Sequence, residues 1–137
     1  MVSSGTDRRR PTGPRLRILV VEDEFLIAQD IRRVLRAEGY EVVGPIAGLD
    51  AALSVAARDD LDGAVLDLNL RGELVFPLAE QLQARGVPIL FTTGYERDVL
   101  PASFAACFVL QKPFRSRRLR EMAHAAFTRE EVEQDAD

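Results

Sequence analysis

Ile18-Leu19-Val20-Val21-Glu22-Asp23-Glu24 is an aliphatic run that stops abruptly on three carboxylates. Apolar residues without alternation suit a strand covered on both faces, as in a parallel sheet. The same punctuation recurs downstream. Gly63-Ala64-Val65-Leu66 ends on Asp67, and Phe108-Val109-Leu110-Gln111 ends on Lys112, the only lysine among 18 Lys and Arg residues. In an open α/β sheet the carboxyl ends of parallel strands border one crevice. These runs would therefore gather several carboxylates and one ammonium in one place. That is the electrostatic layout of a site that binds a divalent cation and handles a phosphoryl group.

Outward from these runs, short apolar stretches alternate with helical patterns. Strands are expected at residues 17–21, 41–44, 64–68, 88–92 and 107–110, and helices at residues 24–38, 50–57, 75–84, 96–104 (weak) and 117–127. Ile27, Ile31, Val34 and Leu35 recur at helical spacing in the first helix, and Leu119, Met122, Ala123, Ala126 and Phe127 do so in the last. Such stripes are core faces. Gly39 reads as a helix stop and Ser116 as an N-cap. Five βα repeats with right-handed crossovers make a parallel, doubly wound, five-stranded sheet of flavodoxin-like order 2-1-3-4-5, a three-layer sandwich.

The chain of 137 residues is 47% hydrophobic, enough for a single core spanning residues 15–128. Residues 1–14, with Arg8-Arg9-Arg10, read as a disordered basic arm, and residues 129–137 as an acidic polar tail. Cys107, the single cysteine, reads as a small buried hydrophobe, which suits a reducing cytoplasm. No apolar run is long enough for a membrane span, and no signal-peptide pattern follows the basic arm. A net charge of −4 argues against direct nucleic-acid binding.

Val20-Val21-Glu22-Asp23-Glu24, Asp67-Leu68-Asn69, Thr93 and Lys112-Pro113-Phe114 fall in order, each at a strand end. In this the chain resembles the receiver domains of bacterial two-component signalling, over about residues 17–127. Pro88-Ile89-Leu90-Phe91-Thr92-Thr93-Gly94-Tyr95 further resembles the PFxFATGY signature of a group of stand-alone alphaproteobacterial receivers, with departures at Ile89, Thr92 and Glu96.

The resemblance implies a signalling module, not a true enzyme, that assists its own Mg²⁺-dependent phosphorylation and dephosphorylation. A carboxylate attacks a phosphoryl donor poorly unless charge on both partners is offset, which a hard dication with oxygen ligands does. Asp67 would be the phosphoacceptor. Asp23, Asp67 and the backbone carbonyl of Asn69 would hold Mg²⁺, with Glu22 acting through a coordinated water. Lys112 and the Thr93 hydroxyl would contact phosphoryl oxygens. Thr93, Gly94 and Tyr95 would form the switch, Gly94 giving the backbone freedom for Tyr95 to re-aim. The phosphoryl group would come from a histidine kinase or histidine phosphotransfer protein. With no output domain after the last helix, the signal would leave by contact with a downstream protein, or through a phosphorylation-dependent dimer.

Some residues depart from the usual pattern. Val109 stands three positions before Lys112, where receivers carry an aromatic residue, and Phe108 points to the opposite face. Pro101 should shorten the fourth helix, and Arg71-Gly72 replaces a proline turn, which predicts a looser loop after Asp67. His124 lies off the apolar stripe and reads as solvated, and no second histidine exists to pair with it. Ser54, Ser103 and Ser116 lack a neighbouring histidine, which argues against a serine hydrolase. A phosphatase of the haloacid-dehalogenase type wants a second Asp two residues after the nucleophile, where this chain has Asn69. A receiver excised from a larger kinase or transcription factor is the first alternative, and the haloacid-dehalogenase-type phosphatase, against which Asn69 argues, the second.

Overall fold

The computed structural model describes residues 15–94 and 100–128. Five parallel strands carry the fold: β1 (Arg17–Val21), β2 (Glu41–Ile46), β3 (Gly63–Asp67), β6 (Ile89–Thr93) and β7 (Phe108–Gln111). They lie in the order β2-β1-β3-β6-β7, which is the expected doubly wound sheet. Between β3 and β6 two short antiparallel strands, β4 (Asn69–Leu70) and β5 (Glu73–Leu74), form a hairpin of their own. The helices are α1 (Phe25–Ala37), α2 (Leu49–Arg58), α3 (Phe76–Ala84) and α4 (Ser116–Phe127).

Side chains alternate across each strand, and this alternation builds two cores. Leu19, Ala64, Leu66, Ile89 and Phe91 face α2 and α3, packing on Ala52, Ala56, Leu78 and Leu82. Ile18, Val20, Val65, Leu90 and Leu110 face α1 and α4, packing on Ile31, Leu35, Leu119, Ala123 and Phe127. All five residues of β3 and of β6 are buried, as central strands covered on both faces must be. Phe104 is fully buried and joins Phe76 and Phe91 in an aromatic cluster, with ring centroids 5.7 and 5.6 Å away.

Four sequence expectations are corrected. The helix expected at residues 96–104 leaves, among the described residues, only a 3-10 turn at Ala102–Phe104; residues 95–99, Tyr95 included, lie outside the described part. Pro101 fixes the start of that turn, in keeping with its restricted backbone. Ser116 is the first residue of α4 and not its N-cap, a position held by Arg115 without a side-chain cap. The loop after Asp67 is not loose: Arg71 (φ 54°) and Gly72 (φ 92°) make a turn with two positive φ angles, the geometry that closes a two-residue hairpin. Cys107 is half-buried rather than buried, its Sγ 3.9 Å from Gln83 Oε1. His124 is exposed, as expected. The basic arm and acidic tail read from the sequence lie outside the described residues.

Candidate functional site

The site is the continuation of one core row past the strand ends. Val20, Val65, Leu90 and Leu110 face α1 and α4; two residues further along each strand stand Glu22, Asp67, Thr92 and Lys112. The period-two rule puts these four on the same side of the sheet. The ladder carries on into this region, with Glu22 N–H donating to Ile46 O at 3.0 Å and Lys112 N–H to Thr93 O at 2.7 Å. Asp67 is opposite Thr92 in register. Polar side chains therefore occupy positions that the packing has already fixed.

Lys112 Nζ donates to Glu22 Oε2 and to Asp67 Oδ2, both at 3.0 Å. Glu22 and Asp67 are buried, 2% and 4% exposed. Backbone amides hold the same carboxylates from the loop side: Glu24 N–H donates to Glu22 Oε2 at 3.1 Å, and Asn69 N–H to Asp67 Oδ1 at 3.3 Å. Burial raises the Glu22 carboxyl from 4.5 to about 7, against the pull of Lys112 and with a push from Asp67. Asp67 is also raised, first by burial, with Lys112 and the Asn69 amide opposing and Asp23 adding repulsion. For Lys112 burial acts downward, but hydrogen bonds and attraction from both carboxylates outweigh it and the ammonium is held above its usual range. One ammonium thus serves two carboxylates whose charged forms burial disfavours.

One oxygen from each of Glu22, Asp23 and Asp67 lies within 4.8 Å of the others. Glu22 Oε1 is buried without a hydrogen-bond partner. Buried orphan oxygens in an excess of negative charge are what a hard cation or its coordinated water would satisfy. The residues present therefore fit a divalent ion. Asp23 and Asp67 both belong to this cluster, and the Asn69 amide donates to Asp67. The Asn69 side chain is engaged within its own loop, its Oδ1 accepting from Gly72 N–H at 2.6 Å.

Thr93 is buried at the end of β6, with Gly94 exposed after it. Two residues escaped the sequence reading. Thr92 is fully buried beside Asp67, and its Oγ1 has no hydrogen-bond partner; its place in the Val-rich row is the signal that could have singled it out. Arg71, noted only as a turn residue, brings its Nε to 3.7 Å from Asp23 Oδ2.

Residues 18–124 match the response regulator receiver domain family. The chain belongs to this family. Among solved structures it is similar to SdrG from Sphingomonas melonis, 37% identical with a TM-score of 0.72, covering 82% of this chain and 96% of that one. It is also similar to the response regulator PhyR from Brucella abortus, 26% identical with a TM-score of 0.74, covering 98% of this chain and 56% of that one. Of curated proteins it is similar to the aerobic respiration control protein ArcA of Escherichia coli, 29% identical over 116 residues, 82% of this chain and 48% of that protein. The chain thus spans about half the length of that relative. Among the described residues no helix is long and apolar enough to cross a membrane.

Proposed function

We propose that this chain is a cytoplasmic response regulator that accepts a phosphoryl group on Asp67 from a histidine kinase or phosphotransfer protein and signals through contact with a downstream protein. The observation that carries this reading is the buried Asp67 carboxylate shared between the Lys112 ammonium and the Glu22/Asp23 cluster. Mg²⁺ held by Asp23, Asp67 and the Asn69 carbonyl, with Glu22 behind a water, would neutralise charge on the donor. The chain's own groups do the rest. An Asp67 oxygen attacks phosphorus, a P–O bond forms as the P–N bond to the donor imidazole breaks, and the imidazole leaves with the electron pair and takes a proton from water. Lys112 then exchanges one carboxylate contact for a phosphoryl oxygen, and the Thr93 hydroxyl takes another, so that positioning and charge stabilisation supply the catalysis.

A stand-alone regulator with residues 15–128 as its receiver is supported by the likeness to SdrG, nearly all of whose chain is covered. The second reading, a receiver module of a longer protein, is favoured by the half-length coverage of ArcA. The stretch Pro88 to Tyr95 supports the PFxFATGY-like subgroup, with Thr93, Gly94 and Tyr95 as the switch. Incubation with acetyl phosphate and Mg²⁺ should add one phosphoryl group, seen as a mass increment. Asp67→Asn should abolish it, as should excess chelator. Full labelling of the Asn variant would remove Asp67 from this role.

A further inference from the structure

Arg71 reaches the acidic cluster from outside the row that forms it. It sits at the tip of the β4–β5 hairpin, in register-locked company: Asn69 pairs with Leu74 and Leu70 with Glu73. Three anchors fix the hairpin's place. Leu70 is buried at 2% exposure, Val75 N–H donates to Leu68 O at 3.0 Å, and the Asn69 side chain receives the Gly72 amide. Arg71 has a left-handed backbone (φ 54°), and its Nε lies 3.7 Å from Asp23 Oδ2. Its guanidinium lies against Asp23, the half-buried carboxylate of the cluster whose side chain is 13% exposed, while Arg71 itself is 73% exposed. Lys112 is committed to Glu22 and Asp67, with Glu24 at 4.0 Å. The cluster's two cations are thus divided, Lys112 on the buried pair and Arg71 on Asp23.

We infer that Arg71 is the resident counter-cation of Asp23 in the metal-free protein and competes with the divalent ion for that carboxylate, so that it sets the metal affinity of the site. The inference rests on the metal-binding reading above and names a residue that regulates it. A fixed positive charge beside an incoming dication repels it, and in a mostly aqueous setting a separation of several Å amounts to about three- to tenfold in affinity. Because Arg71 is exposed, salt must weaken the effect. Linkage makes the competition reciprocal: a metal ion seated on Asp23 weakens the Arg71 contact by the same factor and frees a guanidinium at the mouth of the phosphorylation site.

Calorimetric titration of Mg²⁺ into metal-stripped protein at low ionic strength tests this on the wild type, Arg71→Asn and Arg71→Lys. Asn accepts the left-handed backbone, so it removes the charge without disturbing the turn. Arg71→Asn should bind Mg²⁺ about three- to tenfold more tightly, Arg71→Lys close to wild type, and the difference should shrink in high salt. In wild-type protein the Arg71 Nε–Hε NMR signal should shift in step with Mg²⁺ saturation. Equal or weaker Mg²⁺ binding by Arg71→Asn, or a stationary Arg71 signal, overturns the inference while leaving the metal site standing. Absence of Mg²⁺ binding by all three proteins overturns the metal reading and this inference together.

Discussion

Glu22 is 2% exposed, with one carboxylate oxygen unpartnered and the other shared between an ammonium and a backbone amide. Its carboxyl is raised from 4.5 to about 7, burial outweighing the attraction of Lys112. The consequence for stability has a definite sign. Between these two values the folded chain holds a proton on Glu22 that the unfolded chain has lost, so stability falls as pH rises across the window. Other carboxylates add slopes of their own, which makes the comparison with Glu22→Gln the clean measure. In the presence of chelator, the variant should gain on wild type as pH rises from 5 to 7, by up to about 3 kcal/mol over the full window. Urea unfolding at several pH values reads this directly, and parallel curves for the two proteins would show that Glu22 titrates normally. Asp67, raised by the same burial, should contribute in the same direction.

At the scale of elements, the strand ends were legible because alternation and burial leave little choice. An aliphatic run followed by a carboxylate predicts both the strand and the direction of the charged side chain, and Glu22, Asp67 and Lys112 all fell where period two puts them. The hairpin after Asp67 was not legible in the same way. Asn69-Leu70-Arg71-Gly72-Glu73-Leu74 is too short for periodicity to speak, and arginine is not a residue that advertises a positive φ. The usable signal was Gly72 three residues after Asn69, whose side chain accepts the Gly72 amide. Thr92 was hidden because a threonine in a strand reads as an ordinary β-former. Gly63 shows a constraint of the opposite kind. A Cβ there would lie 2.6 Å from the Phe127 ring and 2.9 Å from Ile18 Cδ1, so β3 meets α4 only because this residue has no side chain. Gly63→Ala should destabilise the protein by about 1–3 kcal/mol through overpacking, measured by thermal unfolding. An unchanged midpoint would mean that Phe127, 7% exposed at the end of its helix, moves aside at no cost.

For the molecule as a whole, the two cores and the acidic pocket pull against each other. The rows facing α1 and α4 pack without exposure from Ile18 to Val20 and from Val65 to Leu90, and then the same rows deliver carboxylates to a place that solvent barely reaches. Two buried acids share one ammonium there, and burying that excess negative charge opposes folding. A ligand that binds only the folded state must offset this by mass action, by about 2.7 kcal/mol when its concentration is a hundred times the dissociation constant. Mg²⁺ should therefore raise the midpoint of thermal unfolding by several degrees, by the usual relation between free energy and midpoint for domains of this size. Asp67→Asn separates the two contributions. Removing one acid should raise the metal-free midpoint, since the buried carboxylate is disfavoured in its charged form, and if Asp67 is a ligand as proposed it should also shrink the Mg²⁺-induced rise. Calorimetric or fluorimetric melts of both proteins, with chelator and with Mg²⁺, measure all four midpoints. A metal-free Asp67→Asn protein no more stable than wild type would show that Lys112 already neutralises the pair in full, and that the crowding inferred from burial does not weigh on the fold.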